Sequence, residues 1–347
     1  MKKIYALLAL GSFLVVCGVL LRVYAYPALA IIPADTDVTV VATSVEDVPA
    51  TYFSIADLAE VTNPLTSVTR VRANAALSES ATDEIGKEVI VFDVYSCTDP
   101  SVAAGAEDEN CLTNELPMTG ELSRYAMDQS TGELVDWSGG RIESGGKVSD
   151  NIPFAGYVFK LPFNAQPHDY QMWNGGLQDT LPAKFVGEVK VAGVPVYEYR
   201  TEMPPTVLGQ LELPGSLVGS DEPTVSADSV ASSSGVLLVE PETGLIVGGS
   251  STMDNYAEVD GERVLTISSG EFAVPDEEVT KGAKGAAQTA FGLRLLRVTG
   301  PVVAITTGLA ILGLAAALLV RRRRRARNDL ASTRSDGSAP ALQPEAA

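Results

Sequence analysis

The sequence predicts a mainly β (α+β) fold: an antiparallel, barrel-like β-rich domain with a few helices, flanked by an N-terminal and a C-terminal transmembrane helix. Three observations carry that expectation. Two uncharged apolar runs stand near the ends of a 347-residue chain, Ile4–Leu21 and Val298–Val320. Between them lie ten short runs rich in β-branched and aromatic residues, bounded by Gly, Pro, Asn and Asp, the punctuation of antiparallel meanders. Helix signals between the two apolar runs are sparse.

The apolar runs hold 18 and 23 residues. At about 1.5 Å rise per residue each can cross a hydrocarbon core of roughly 30 Å. The first follows Lys2 and Lys3 and reads as an uncleaved signal anchor, residues 1–24. Its length exceeds the usual h-region of a signal peptide, although Val23-Tyr24-Ala25 and Ala28-Leu29-Ala30 leave cleavage open. The second, 298–320, runs straight into Arg321, Arg322, Arg323, Arg324, Arg325 and Arg327. Basic residues beside a membrane helix mark its cytoplasmic side, so both termini are expected in the cytoplasm and residues 25–275 outside it. The Arg cluster is also a candidate contact for anionic lipid, with a plain stop-transfer signal as the simpler reading. Residues 276–297 read as an amphipathic helix or stalk, acids first and Arg294 and Arg297 last, as a helix dipole favours. Residues 321–347 read as the Arg-rich stop signal followed by a disordered tail from Asn328.

This topology sorts the charge. Twelve of the 25 basic residues and three of the 44 acidic ones fall outside 25–293, leaving 13 basic against 41 acidic, a net of −28 for that segment. Such a surface repels polyanions and attracts cations, and it excludes a nucleic-acid partner. Cys97 and Cys111 are the two cysteines of that segment. An extracytoplasmic setting permits a disulfide between them, with two free thiols as the alternative. Their spacing is not the Cys-x-x-Cys of redox catalysis.

The predicted strands are 37–42, 67–72, 87–95, 121–127, 157–160, 185–191, 194–200, 235–240, 245–250 and 263–274. The clearest hairpin turns at Ala192-Gly193, where Gly193 supplies a positive φ; Pro195 then belongs at an edge or a bulge. Asp128-Gln-Ser-Thr-Gly-Glu133 and Glu240-Pro-Glu-Thr-Gly244 read as two related turns. A short helix is expected over 50–59.

Catalytic and cofactor signatures are missing. The one histidine, His168, sits in a turn-like Gln166-Pro167-His168-Asp169 with no Gly-x-Ser-x-Gly elbow. No Walker loop, dinucleotide fingerprint or Cys/His cluster accompanies it. The reading is a non-enzyme without a cofactor or metal. What remains is an aromatic-dense stretch, Phe154, Tyr157, Phe159, Phe163, Tyr170, Trp173 and Phe185, in a chain only 6% aromatic. Core packing explains it in one way; the lining of an apolar cavity in a curved sheet explains it in another.

Several segments taken together resemble the actinobacterial PorA-type envelope proteins. They are Leu20-Leu-Arg-Val-Tyr-Ala-Tyr-Pro-Ala-Leu-Ala-Ile-Ile-Pro33, Thr131-Gly132-Glu133, Gly156-Tyr-Val-Phe-Lys-Leu-Pro-Phe163, Tyr170-Gln-Met-Trp-Asn174, Pro182-Ala-Lys-Phe-Val-Gly187, Pro204-Pro205-Thr206, Pro214-Gly-Ser216 and Glu240-Pro-Glu-Thr-Gly244. The resemblance implies an extracytoplasmic β-rich domain between two anchors and two different jobs. One is lipid binding in support of lipomannan and lipoarabinomannan assembly, with membrane lipids or glycolipid precursors, and envelope-assembly glycosyltransferases, as partners. The other is a cell-wall channel favouring cations. A scaffold for envelope-assembly enzymes is a third. The strands are short and carry charges such as Lys87, Glu88, Glu188 and Lys190, unlike the apolar outer band of a membrane-spanning barrel, which favours the lipid-binding reading.

Overall fold

Period-two alternation is satisfied by pairing, and here nearly all of it goes into one sheet. The computed structural model describes residues 2–45, 48, 50–100, 111 and 117–335. The chain forms two compact units: Ala30–Phe291, and a second made from the segments before Ala30 and after Phe291.

The first unit holds strands β1 (Asp37–Ser44), β2 (Ala50–Ser54), β3 (Ala59–Asn63), β4 (Thr66–Ala73), β5 (Val89–Asp99), β6 (Thr119–Asp128), β7 (Leu134–Val135), β8 (Arg141–Ser144), β9 (Lys147–Asp150), β10 (Tyr170–Asn174), β11 (Asp179–Val191), β12 (Val194–Pro214), β13 (Thr224–Val239), β14 (Ile246–Val259) and β15 (Glu262–Ala273). They join in the order β10-β11-β12-β13-β14-β15-β1-β4-β5-β6-β8-β9, with the β2–β3 hairpin on β15 and β7 on β6. The pairings are antiparallel. This is a mainly antiparallel β half-barrel. Its path does not close by hydrogen bonds; side chains bring the ends together. Trp173 of β10 shares a core cluster with Tyr125 of β6 and Ile142 of β8.

Two cores result. One gathers Val71, Ile90, Phe92, Val94, Met127, Ile152 and Phe154 around Trp173. The other gathers Leu161, Ala165, Tyr170, Met172, Ala183, Tyr199 and Val239. Each fully buried aliphatic or aromatic side chain contributes roughly 1.5–3 kcal/mol. The segment between β9 and β10 serves both cores, because Ile152 and Phe154 enter the first and Leu161 and Ala165 the second. It acts as a strap. Leu134 donates to Gly156 O, Leu161 to Gly244 O and Ala165 to Pro241 O.

The hairpin at Ala192-Gly193 forms as expected, with φ of 48° and 86°, the two positive values of a type I′ turn. Pro195 pairs with Lys190 on one side, while the ladder to β13 begins only at Tyr197, so its missing donor faces no strand. Pro204 and Pro205 lie at a shift of that same ladder.

Two predicted elements differ, and one helix is not predicted. Residues 50–59 form the β2–β3 hairpin instead of a helix: Tyr52 and Phe53 suit a pleated surface, the Thr51 and Thr62 hydroxyls pair across it at 3.1 Å, and Leu58 takes φ 51° at its turn. Residues 157–160 make no strand; Tyr157 bridges Met172 and Lys160 bridges Leu245 as isolated pairs, since Gly156 at φ 71° and nearby Pro153 and Pro162 break a ladder. An unpredicted helix α3 (Ala75–Ile85) packs on β5. Asn74 caps it, accepting from Leu77 N at 3.1 Å, and Gly86 ends it at φ 73°, a textual signal of an N-cap and a left-handed C-cap.

The remaining helices are α1 (Lys2–Leu20), α2 (Tyr26–Leu29), α4 (Asp276–Arg294) and α5 (Gly300–Ser335). Two are long and apolar enough to cross a membrane, within Lys2–Leu29 and Asp276–Arg325. The segment expected as an amphipathic helix or stalk is helical, and the first half of α4 lies on the sheet through Ala283 and Ala286 against Val196 and Val247. Where a disordered tail is expected from Asn328, the helix continues to Ser335. Residues 336–347 lie outside the described residues. In the second unit α1 and α5 approach through glycine: a Cβ on Gly308 would stand 2.7 Å from Gly11 O, and one on Gly18 3.1 Å from Pro301 O, the small-residue packing of membrane helices. Short π-helical segments, Leu21–Ala25 and Leu295–Thr299, sit at corresponding ends of the two apolar helices.

Candidate functional site

A cavity of about 310 Å³ opens on the half-barrel beside the short pairing of β1 with β15. β1 pairs with β4 along seven residues but with β15 at only Thr43↔Ala273 and Ser44↔Phe272. Along the rest of this β15–β1 seam β15 pairs instead with β2, at Ser268↔Tyr52 and Ser269↔Thr51, and residues of β14 and β15 share the cavity lining with residues of β5 and β6. The walls combine an apolar set, Leu65, Met118, Met253 and Phe272, with hydroxyl and amide groups from Ser96, Thr98, Thr119, Ser144, Asn255, Ser268 and Ser269. Asn255 Nδ2 donates to Ser268 Oγ at 2.9 Å. Glu121 is the charged residue of the lining, and its carboxylate accepts from Ser123 Oγ at 2.7 Å. A pocket of this size is at the lower end of the range for small ligands.

The predicted cysteines meet at this wall. Cys97 and Cys111 form a disulfide with Cα atoms 5.9 Å apart, both buried beside Val68, and Cys97 is part of the cavity lining. The acidic stretch 101–110 that they enclose lies outside the described residues.

The aromatic stretch is placed elsewhere. Phe154 packs edge-on to Tyr125 at 5.0 Å and against Trp173 at 5.0 Å; Phe159 and Phe163 pack around that first core. Tyr157 meets Tyr170 at 5.7 Å, and Phe185 meets Tyr199 at 5.5 Å in the second. The structure thus brings the seven into two interlocking cores, and none of them lines the 310 Å³ cavity. Its lining residues carry no sequence signature beyond ordinary strand composition, which is why reading the chain by motif misses them.

Between the two cores is an electrostatic knot built from the paired turns. Asp128 Oδ1 accepts from Ser130 N, Ser130 Oγ and Thr131 N at 2.6 to 2.8 Å, and Lys87 pairs with its other oxygen. Burial would raise this carboxyl, but those partners hold it down at about 2. Glu240 repeats the arrangement, accepting from Glu242 N, Thr243 N and Thr243 Oγ1, with Gly244 at φ 73° closing the turn. Lys160, on the strap, is 5% exposed. Its Nζ lies 3.7 Å over the Phe163 ring and has no hydrogen-bond partner among the described residues. Burial pulls its ammonium down to about 7 against the opposing pull of Asp128.

Among the described residues no group of three or more His, Cys, Asp or Glu stands ready to hold a metal. Arg321–Arg325 and Arg327 are exposed on α5.

A β half-barrel flanked by two helices long and apolar enough to cross a membrane is the class this architecture defines. The family model described as Porin PorA matches residues 5–317, so the chain belongs to the porin PorA family. It is similar to a protein of Corynebacterium amycolatum named "Porin PorA", 25% identical over 319 residues that cover 76% of this chain and 80% of the relative.

Proposed function

We propose that the protein is a non-enzymatic, membrane-anchored envelope protein whose extracytoplasmic half-barrel binds a lipid or glycolipid precursor in support of lipomannan and lipoarabinomannan assembly. The observation that carries this reading is the seam cavity, with Met118, Met253 and Phe272 for an apolar chain and Asn255, Ser268 and Ser269 for a hydroxylated head. The orientation rests on Arg321–Arg325 and Arg327, which favour a cytoplasmic C-terminus and put the acidic half-barrel outside. Lipids extracted from the full-length protein, purified in mild detergent from its own envelope, test it: a stoichiometric lipid supports the reading, and a protein free of lipid contradicts it.

A second reading, a channel favouring cations, draws on the family's description and on the name of the C. amycolatum relative. The excess of 41 acids over 13 bases in residues 25–293 suits a cation pathway. Against a membrane-crossing wall stands β11, which alternates exposed and half-buried positions with Lys184, Glu188 and Lys190 among the exposed ones. A pore would therefore be formed by assembled copies. Conductance of the purified protein in planar bilayers, with its reversal potential in a KCl gradient, tests this reading.

A further inference from the structure

In the membrane unit the two π-helical segments face each other, and each carries an arginine at its second or third position: Arg22 in Leu21–Ala25 and Arg297 in Leu295–Thr299. Arg22 Nη1 donates to Arg297 O at 2.7 Å, which sets both segments at one level. Arg294, exposed, stands three residues before Arg297. The helices are in close contact here, for a Cβ on Gly300 would stand 3.3 Å from Leu21 Cδ1. Immediately beyond this level a groove of about 370 Å³ runs along the helix pair, lined by Leu14, Leu295, Thr299, Gly300, Val303 and Thr307 among others. From Leu295 to Thr307 it extends roughly 18 Å at 1.5 Å per residue, close to the roughly 15 Å depth of one leaflet's hydrocarbon.

The three arginines run against the charge pattern of the rest of the chain. Basic residues near a membrane helix act as cytoplasmic markers, and the six Arg after Val320 already serve that purpose. At the other end of the same helices, beside a segment of net charge −28, three guanidinium groups oppose that orientation signal. Their chemistry suits a phosphate, which guanidinium binds through paired donors, and the apolar groove beneath suits the chain attached to it.

We propose that Arg22, Arg294 and Arg297 form, with this groove, a binding site for the phosphate headgroup of an anionic lipid in the extracytoplasmic leaflet, its hydrocarbon chain lying along Leu295–Thr307. The site lies in the membrane unit, distinct from the seam cavity, and rests only on the orientation given above. The charge complementarity selects an anionic over a zwitterionic lipid, and the groove selects a lipid over inorganic phosphate.

The test uses the full-length protein in nanodiscs of phosphatidylglycerol and phosphatidylcholine in equal parts, released into native mass spectrometry. The wild-type chain should keep one more phosphatidylglycerol than the Arg22→Gln/Arg297→Gln variant, whose retention falls roughly thirtyfold if each arginine contributes the usual attraction to an anionic surface. Val303→Phe, which fills the groove at an exposed position and leaves the arginines intact, should lose the same lipid; Arg22→Lys/Arg297→Lys should keep part of it. Equal retention in the Gln variant and wild type, equal retention of phosphatidylcholine, or displacement by millimolar inorganic phosphate would each overturn the proposal. Labelling of Arg327→Cys in intact and permeabilised cells reports the orientation separately, so an inverted topology is told apart from an absent site.

Discussion

Replacing Lys160 by methionine should make the protein more stable at neutral pH and remove a pH dependence that the wild type shows. The side chain is buried on the strap with its Nζ over Phe163 and no hydrogen-bond acceptor among the described residues. Its ammonium falls from 10.5 to about 7 on folding. Because the folded value is depressed, the unfolded chain binds more protons between those two limits, and stability rises with pH across that window. At about 1.36 kcal/mol per pH unit, the charged form costs on the order of 4 kcal/mol at pH 7, and about 2 kcal/mol of that is recovered by pH 9. Above pH 10 the trend reverses, since burial pushes Tyr125 and Tyr157 up to about 12, and Tyr199 also upward; the unfolded tyrosines then lose protons first. Methionine matches the lysine stem in volume and brings no charge into the core, so Lys160→Met should gain on the order of 3 kcal/mol at pH 7 and show a flat profile from pH 7 to 9. Urea unfolding of the full-length protein in detergent, followed by Trp137 and Trp173 fluorescence, reads this directly because both indoles are buried in the β unit. A variant less stable than wild type at pH 7, or one keeping the wild-type slope, would refute the account of Lys160 as an uncompensated buried charge.

Asp128→Asn should cost about 2 kcal/mol at pH 7, because a carboxyl held at about 2 contributes stability that is complete above pH 4 and lost as pH falls through 2; the deficit should vanish in urea titrations at pH 2. Reduction of Cys97–Cys111 should lower stability by roughly 3 kcal/mol, the loop-closure value for about 15 residues, and unfolding with and without reductant measures it. Gly244→Ala should abolish stable folding of the strap, since a Cβ there would stand 2.0 Å from Leu161 O at a φ of 73°; protease sensitivity around residues 152–165 reports it. Asn74→Ala should cost about 1 kcal/mol, visible as faster amide exchange in α3.

Much of this architecture is written locally in the chain. The apolar spans declare themselves by length and lack of charge, and strands such as β5 and β15 by alternation. The two Thr-Gly turns are also legible, because Asp128 and Glu240 make the local hydrogen bonds that their side-chain types suggest. What depends on the partner is not legible. Ala50–Ala59 reads as helical until β15 offers it an edge, and Tyr157–Lys160 reads as a strand until the prolines around it turn the backbone into a strap. The aromatic density from Phe154 to Phe185 marks a buried region correctly, but which buried region is decided by the half-barrel's curvature. The cavity forms instead where β1 and β15 share only two residue pairs, a property of register across more than two hundred residues of chain, and its Ser, Thr and Met lining is indistinguishable in sequence from any strand of the sheet.

The central claim, that the seam cavity holds a lipid or glycolipid, is tested most directly by purifying the full-length wild-type protein and a Ser269→Trp variant from the native envelope and identifying co-purified lipids by mass spectrometry. The account predicts a lipid at one copy per chain in the wild type and its loss from a variant that still unfolds cooperatively. Lipid absent from both, together with cation-selective conductance from both in planar bilayers, would contradict it and establish the channel reading in its place.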